Sequence, residues 1–247
     1  MNHNIAVALK NNTEHNLNFS VHNGFSKSKL LQEYRALLDD FPITLGIASS
    51  PKEYQAIYNL RQTVYEQDNM AYLLNPASNF HPAADTLDNS SYLFYCRSGN
   101  NFLATCRYSP AINGQWESPE ITRLASLVPT DTTRLLQIGR LVIQPEHRSR
   151  LLAELLIWAC SDWLRRHTLH TFFYAICTPA LSRFYRHFGA KTVPNSIVKL
   201  PERQNKTYRI VYGSMDTVAT TLDTYTTQRG WSLDYPHQTD LSYPQVS

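Results

Sequence analysis

The chain has 247 residues, a formal net charge of +3, 43% hydrophobic and 17% charged residues, enough for one substantial core in an ordinary globular protein. The charge is too small to point to nucleic acid, although a local basic patch can still bind phosphate. No apolar run approaches the roughly 20 residues of a membrane span, and the polar start has no signal-peptide core, so the expected compartment is the cytoplasm.

Residues 1–42 read as an N-terminal extension, an Asn-rich arm followed by one short amphipathic helix at Lys27–Asp40. Ile43–Ala48 is the first expected strand. Ser49-Ser50-Pro51 then opens a helix to about Asp68, whose apolar stripe (Tyr54, Ile57, Tyr58, Val64, Tyr65) also carries Arg61. An arginine on such a stripe is either paired with an acid or extended to the edge of the core. Asn69–Ala84 lacks a period and is long enough for a binding segment or lid. Asp85 and Asp88 precede the strand Ser91–Arg97, and Gly99-Asn100 turns it into Phe102–Tyr108, which carries Arg107. Pro110–Pro119 is a turn-rich connection, and Glu120–Leu124 is a short strand or helix edge.

Leu135–Ile143 is a largely apolar run stopped by Pro145, as a buried strand is. A helix follows, burying Leu152, Leu155, Leu156, Ala159 and Trp163. His147, Arg148 and Arg150 crowd its start, where the dipole disfavours cations and main-chain amides favour anions, so a phosphate is the expected guest. Thr171–Cys177 is another strand. Thr178 caps the next helix, with Pro179 at its first position and Gly189 at its end. Thr192–Leu200 and Thr207–Tyr212 form a hairpin, and Met215–Arg229 a last helix. Residues 231–247 are a tail. Cys96, Cys106, Cys160 and Cys177 show no close pairing and read as small buried thiols. The nine histidines show no metal-ligand spacing, so no metal is expected.

The turn Arg148-Ser149-Arg150-Leu151-Leu152-Ala153, together with Ser182-Arg183-Phe184-Tyr185-Arg186-His187-Phe188-Gly189-Ala190, resembles the acyl-CoA motif and following helix of the GNAT N-acyltransferases. The resemblance implies an α/β (α+β) fold over residues 43–230, a mixed, mostly antiparallel sheet flanked by helices, with Leu135–Ile143 and Thr171–Cys177 splayed around the acyl-pantetheine arm. It makes Leu141, Val142 and Ile143 the strand that holds the thioester, Arg148, Arg150, Leu151 and Ala153 the donor turn, and Tyr185 the acid for the departing thiolate. As a bland alternative, Tyr185 is a core aromatic.

Further upstream, Arg61 with Tyr65, Asp85 with Asp88, Arg107, and Gln137 with Arg140 are similar in order and spacing to a pattern in the acyl-homoserine lactone synthases and the long-chain N-acyl amino acid synthases. Gln137 stands where those synthases have a glutamate, and Leu151 where the wider family has its first glycine. What this implies is acyl transfer to a small amine acceptor, with acyl carrier protein as donor partner, acyl-CoA as the other donor, and no tightly bound cofactor. Glu120, by residue type, and Asp85 are the expected bases, while Arg61, Tyr65, Asp88, Arg107, Gln137 and Arg140 line the acceptor. Asp85 and Asp88 are equally ordinary turn formers. An acetyl-CoA-dependent acetyltransferase and a weak acyl- or carrier-binding module are the competing readings.

Overall fold

The computed structural model describes residues 7–8, 43–78, 80–112, 114–148 and 150–228. The expected helix at Lys27–Asp40 and the tail 231–247 lie outside the described residues. From the arm, only the two-residue strand β1 (Val7–Ala8) is described, paired with β2 (Ile43–Ile47).

Local signals set the element starts. Helix α1 (Pro51–Gln67) opens on Ser50, whose side chain accepts from the Glu53 amide while Glu53 Oε2 accepts from the Ser50 amide at 3.0 Å, a reciprocal capping box. Strands β3 (Tyr92–Ser98) and β4 (Asn101–Pro110) form a hairpin around Gly99. The turn-rich connection leads to α2 (Pro119–Ala125), capped by Ser118, so the segment expected as strand or helix edge is helical. Then come β5 (Leu135–Ile143), α3 (Arg150–His167), β6 (Phe172–Cys177) and α4 (Pro179–His187). The predicted strand Thr192–Leu200 is broken. It divides into β7 (Lys191–Thr192) and β8 (Val198–Leu200), because Pro194 removes a donor and Asn195 takes φ +55°. Strand β9 (Lys206–Ser214) and α5 (Met215–Gln228) complete the order.

The strands lie in the order β1-β2-β3-β4-β5-β6-β9-β7, with β8 on β9. All pairings are antiparallel except β5 with β6. That parallel pairing runs from Leu135↔Phe172 to Ile138↔Ala175 and then stops, although both strands continue. Beyond Ile138 the two strands therefore leave a gap in the ladder. On its other edge β5 bulges: Arg107 pairs with Gly139 and Thr105 with Val142, so one extra residue sits on β5, and Arg140 takes φ +52°.

Alternation along the strands divides the core. Phe94, Cys96, Cys106, Tyr108, Leu136, Ile138, Phe173 and Ala175 pack against α3, α4 and α5. On the opposite face, Leu93, Tyr95 and Val142 pack under α1, and Leu135, Tyr174, Ile176 and Ile210 pack with α2. The four cysteines are buried and free. Gly189, at the end of α4, has φ +84°, and a Cβ there would lie 2.5 Å from Thr217 Cγ2 on α5. Among the described residues no helix is long and apolar enough to cross a membrane.

Candidate active site

Arg107, on β4, faces the side covered by α1 and α2 and is wholly buried, so it must be paired. Its Nη1 lies 2.9 Å from Asp85 Oδ1 and 3.5 Å from Asp88 Oδ1, and its Nη2 lies 2.8 Å from Glu117 Oε1. Arg61 comes down from α1 to Asp88 Oδ2 at 2.7 Å, both side chains fully buried, with its guanidinium 5.9 Å from the centre of the Tyr58 ring. The paired reading of Arg61 is the observed one. Asp85 and Asp88 are also turn residues: Asp88 Oδ2 accepts from the Asp85 amide, and Asp85 Oδ1 from the Leu87 amide. The structural and charged roles coincide in the same two carboxylates.

The bulge brings in Arg140, whose Nη2 lies 2.5 Å from Asp85 Oδ2 and 3.3 Å from Glu117 Oε1. Arg203, from the short turn Pro201–Arg203 after β8, closes the cluster at 2.8 Å from Glu117 Oε2. Burial alone would raise the pKa of Asp85, but Arg107 and Arg140 overcome it and hold the carboxyl well below its ordinary value. Burial also raises that of Glu117, and Arg140, Arg107 and Arg203 together bring it below the usual range. Both acids are therefore ionised at neutral pH.

Of the residues expected from sequence, Arg61, Asp85, Asp88, Arg107 and Arg140 meet in this cluster. Tyr65 is buried on α1 within electrostatic reach of Arg140. Gln137 is 3% exposed on β5, and its Oε1 has no hydrogen-bond partner among the described residues. Glu120 does not join them. It is exposed on α2 and bound to Arg123 by two hydrogen bonds of 2.6 and 2.9 Å. That helix turns Ile121, Leu124 and Ala125 inward, which leaves the preceding position in solvent. The acid that does reach the cluster is Glu117. Arg203 was likewise not foreseen. Both sit in irregular segments where periodicity gives no signal.

On the donor side, Leu141, Val142 and Ile143 follow the bulge and border the gap, with Val142 packed under α1. Arg148 precedes α3 instead of lying in its first turn, and its guanidinium is engaged: Nη2 is 2.5 Å from Asp68 Oδ2 at the end of α1, and Nε donates to the Ile143 carbonyl at 3.5 Å. Ala153 is buried. The side chains of Arg150 and Leu151 lie outside the described residues. Tyr185 is 2% exposed on α4, its ring 6.3 Å from Phe173 and 5.5 Å from Phe184. Burial pushes its hydroxyl well up, and it lies within electrostatic reach of Cys106, opposite the bulge, and Cys177, at the open end of β6. It is thus a buried aromatic of the core, packed on Phe173 and Phe184.

The segment 69–84, residue 79 apart, is anchored by His81 and Tyr72. His81 Nδ1 accepts from the Ala83 amide at 3.1 Å, so its proton is on Nε2, which donates to Asn59 Oδ1 at 3.1 Å. Lys206 lies 4.8 Å above the Tyr72 ring, joining this segment to β9.

The model of the acetyltransferase (GNAT) family matches residues 54–190, more than half of the chain. Among curated proteins none matches. The fold is similar to that of BjaI, a CoA-dependent acyl-homoserine lactone synthase (18% identity, 83% of this chain and 90% of the other, TM-score 0.58). It is also similar to MesI, another CoA-dependent acyl-homoserine lactone synthase (14%, 78% and 91%, 0.56), and to FeeM, an N-acyl amino acid synthase from uncultured soil microbes (14%, 70% and 92%, 0.51).

Proposed function

The chain belongs to the acetyltransferase (GNAT) family, and from that premise we propose that it transfers a medium or long fatty acyl group from a carrier-protein thioester to the amine of an amino acid or a similar small molecule. The observation that carries this reading is Arg140. It stands on the bulge that begins the strand gap, and its guanidinium belongs to the buried arginine–carboxylate cluster. One residue thereby joins the place where a thioester arm fits to a place that orders a charged acceptor.

In the reaction, the neutral amine attacks the thioester carbonyl, the C–N bond forms, the C–S bond breaks, and a thiolate leaves. Main-chain amides of Leu141–Ile143 at the gap stabilise the oxyanion. Asp85 and Glu117, held ionised by arginines, make poor direct bases. Their role is to fix Arg107 and Arg140 and to order the water that takes the ammonium proton. Tyr185 keeps its proton at neutral pH, as a tyrosine ordinarily does, and donates it to the thiolate; burial weakens it as an acid, so its share of the rate is modest. The engagement of Arg148 by Asp68, and Leu151 in place of a glycine at the turn, favour a pantetheine arm on a carrier over a pyrophosphate. The CoA dependence of MesI and BjaI makes acyl-CoA the second donor to try.

The test is free-thiol release from acetyl-CoA, a long-chain acyl-CoA and the matching acyl carrier proteins, against a panel of amino acids. Turnover confined to long acyl donors is expected. Efficient turnover of acetyl-CoA would overturn the long-chain assignment, and binding of thioester without any turnover would make the protein a carrier-binding module. Tyr185→Phe is expected to lower turnover about tenfold at unchanged thioester KM. That is less than the roughly hundredfold of proton transfer to a poor leaving group, since thiolates near a pKa of about 8.5 leave readily. Unchanged turnover would return Tyr185 to a packing role.

A further inference from the structure

The buried cluster is not neutral. Among the described residues it holds four guanidinium groups (Arg61, Arg107, Arg140, Arg203) against three carboxylates (Asp85, Asp88, Glu117), which leaves one positive charge over. Its base is sealed, with Arg61, Arg107 and Asp88 at 0% exposure, whereas Arg140 and Arg203 keep 16% and 15% of their side chains accessible. An excess positive charge in a site closed on one side and open on the other attracts an anion through the open side.

The uncharged polar groups point the same way. Tyr174 lies within electrostatic reach of Glu117 and Arg107, and its hydroxyl has no partner among the described residues. Trp116, next in sequence to Glu117, sets its ring edge-on to Tyr174 at 5.2 Å, and its indole Nε1 is also unpartnered. Arg107 Nε is a third buried donor without a partner. Tyr174 and Arg107 are fully buried and Trp116 is 7% exposed, so bulk water does not serve them. Buried donors in excess call for a guest rich in acceptor atoms.

Arg203 is the group placed to receive it. Two successive residues with positive φ, Gln204 at +57° and Asn205 at +54°, turn the chain back after the 201–203 turn and hold Arg203 over the Tyr208 ring at 5.2 Å. Only its Nη2 approaches Glu117 within ion-pair distance, and apart from its contact with Tyr208 the guanidinium keeps donors in a fork shaped for a carboxylate.

We propose that Arg203, with Arg140 beside it, receives the carboxylate of the acceptor, so that the enzyme takes amines bearing a carboxylate and rejects uncharged or cationic amines. This rests on the acyltransferase reading above and specifies the acceptor end of that site. Arg203 determines specificity, and it lies outside the residues matched by the family model.

The experiment is calorimetric binding of amino acids paired with their own amides, with and without a non-hydrolysable acyl thioether, to the wild-type protein, Arg203→Gln and Arg203→Lys. The wild type is expected to bind the acids about tenfold to a hundredfold more tightly than the amides, as the loss of a charge-assisted hydrogen bond implies. Arg203→Gln is expected to bring the acid-to-amide affinity ratio to about one, and Arg203→Lys to restore part of it, with thermal melts confirming that both variants fold. Equal affinity for acid and amide, an acid preference that survives Arg203→Gln, or no saturable binding of any acid overturns the proposal. Arg203-dependent acid binding without thiol release would fail the enzyme reading alone; thiol release without acid preference would fail this inference alone.

Discussion

Asp88→Ala tests whether the cluster is a set of mutually dependent charges. The Asp88 carboxylate meets Arg61 at 2.7 Å, accepts the Asp85 amide at 2.9 Å and lies 3.5 Å from Arg107. Among the described residues Arg61 has no other carboxylate partner, and it is fully buried, so the substitution strands a desolvated guanidinium. Removing one member of such a pair costs about 3–5 kcal/mol, which in a chain of this size lowers Tm by about 6–20 °C. Arg61→Met in the same background removes the stranded charge and is expected to restore about half of the loss or more, because an apolar side chain suits the site under α1. Thermal and urea melts of the two single variants and the double variant, followed by circular dichroism, give the coupling. A double variant that loses the full sum of the two single losses would refute the account, since the charges would then be acting independently.

The same cluster sets the acid limb of stability. The folded pKa values of Asp85 and Glu117 lie below their ordinary values of 3.8 and 4.5, so their contribution is complete above those values and is withdrawn as pH falls through the folded ones. Stability therefore declines from about pH 5 downward, and Asp85→Asn, less stable at neutral pH, should show a shallower acid slope in urea titrations. An unchanged slope would mean that Asp85 is not held down by Arg107 and Arg140. Gly189→Ala combines a positive φ with a Cβ 2.5 Å from Thr217 Cγ2 and should cost about 1–3 kcal/mol. Thr217→Ser in that background should recover only the steric part, as differential melts of the four proteins will show.

Much of the fold was legible because the signals are local. Ser50 and Thr178 announce helix starts, and Gly99 turns β3 into β4. Arg61 was legible in a different way: an arginine on an apolar stripe demands an acid, and Asp88 is that acid. Asp85, Asp88, Arg107 and Arg140 were gathered by their resemblance to the pattern of the acyl-homoserine lactone synthases, since no local signal links them. Glu117 and Arg203 were not legible, since they meet across 86 positions from two aperiodic turns, and nothing local tells an acid in such a turn whether it will face solvent. Glu120 was favoured by type alone, and helix α2 turns it outward. The bulge at Arg140 needs a positive φ at a residue other than glycine, which sequence pattern does not announce.

Glu53 has two oxygens and divides them. Oε2 takes the amides of Ser49 and Ser50 at the start of α1, and Oε1 takes the Tyr95 hydroxyl at 2.7 Å, reached across Gly46, where any Cβ would strike the Tyr95 ring at 2.5 Å. One carboxylate thus rivets the end of a helix to the sheet beneath it, about 12 Å along the axis from Arg61 at 1.5 Å per residue. A helix fastened at that end cannot roll, and a roll of one residue, about 100°, would swing Arg61 out of the sheet face altogether. The alignment of the buried charge cluster is therefore inherited from a joint about two turns of helix away. Variant libraries meant to change acceptor range should leave Gly46, Glu53 and Tyr95 untouched, because changes there would misalign every pocket design at once.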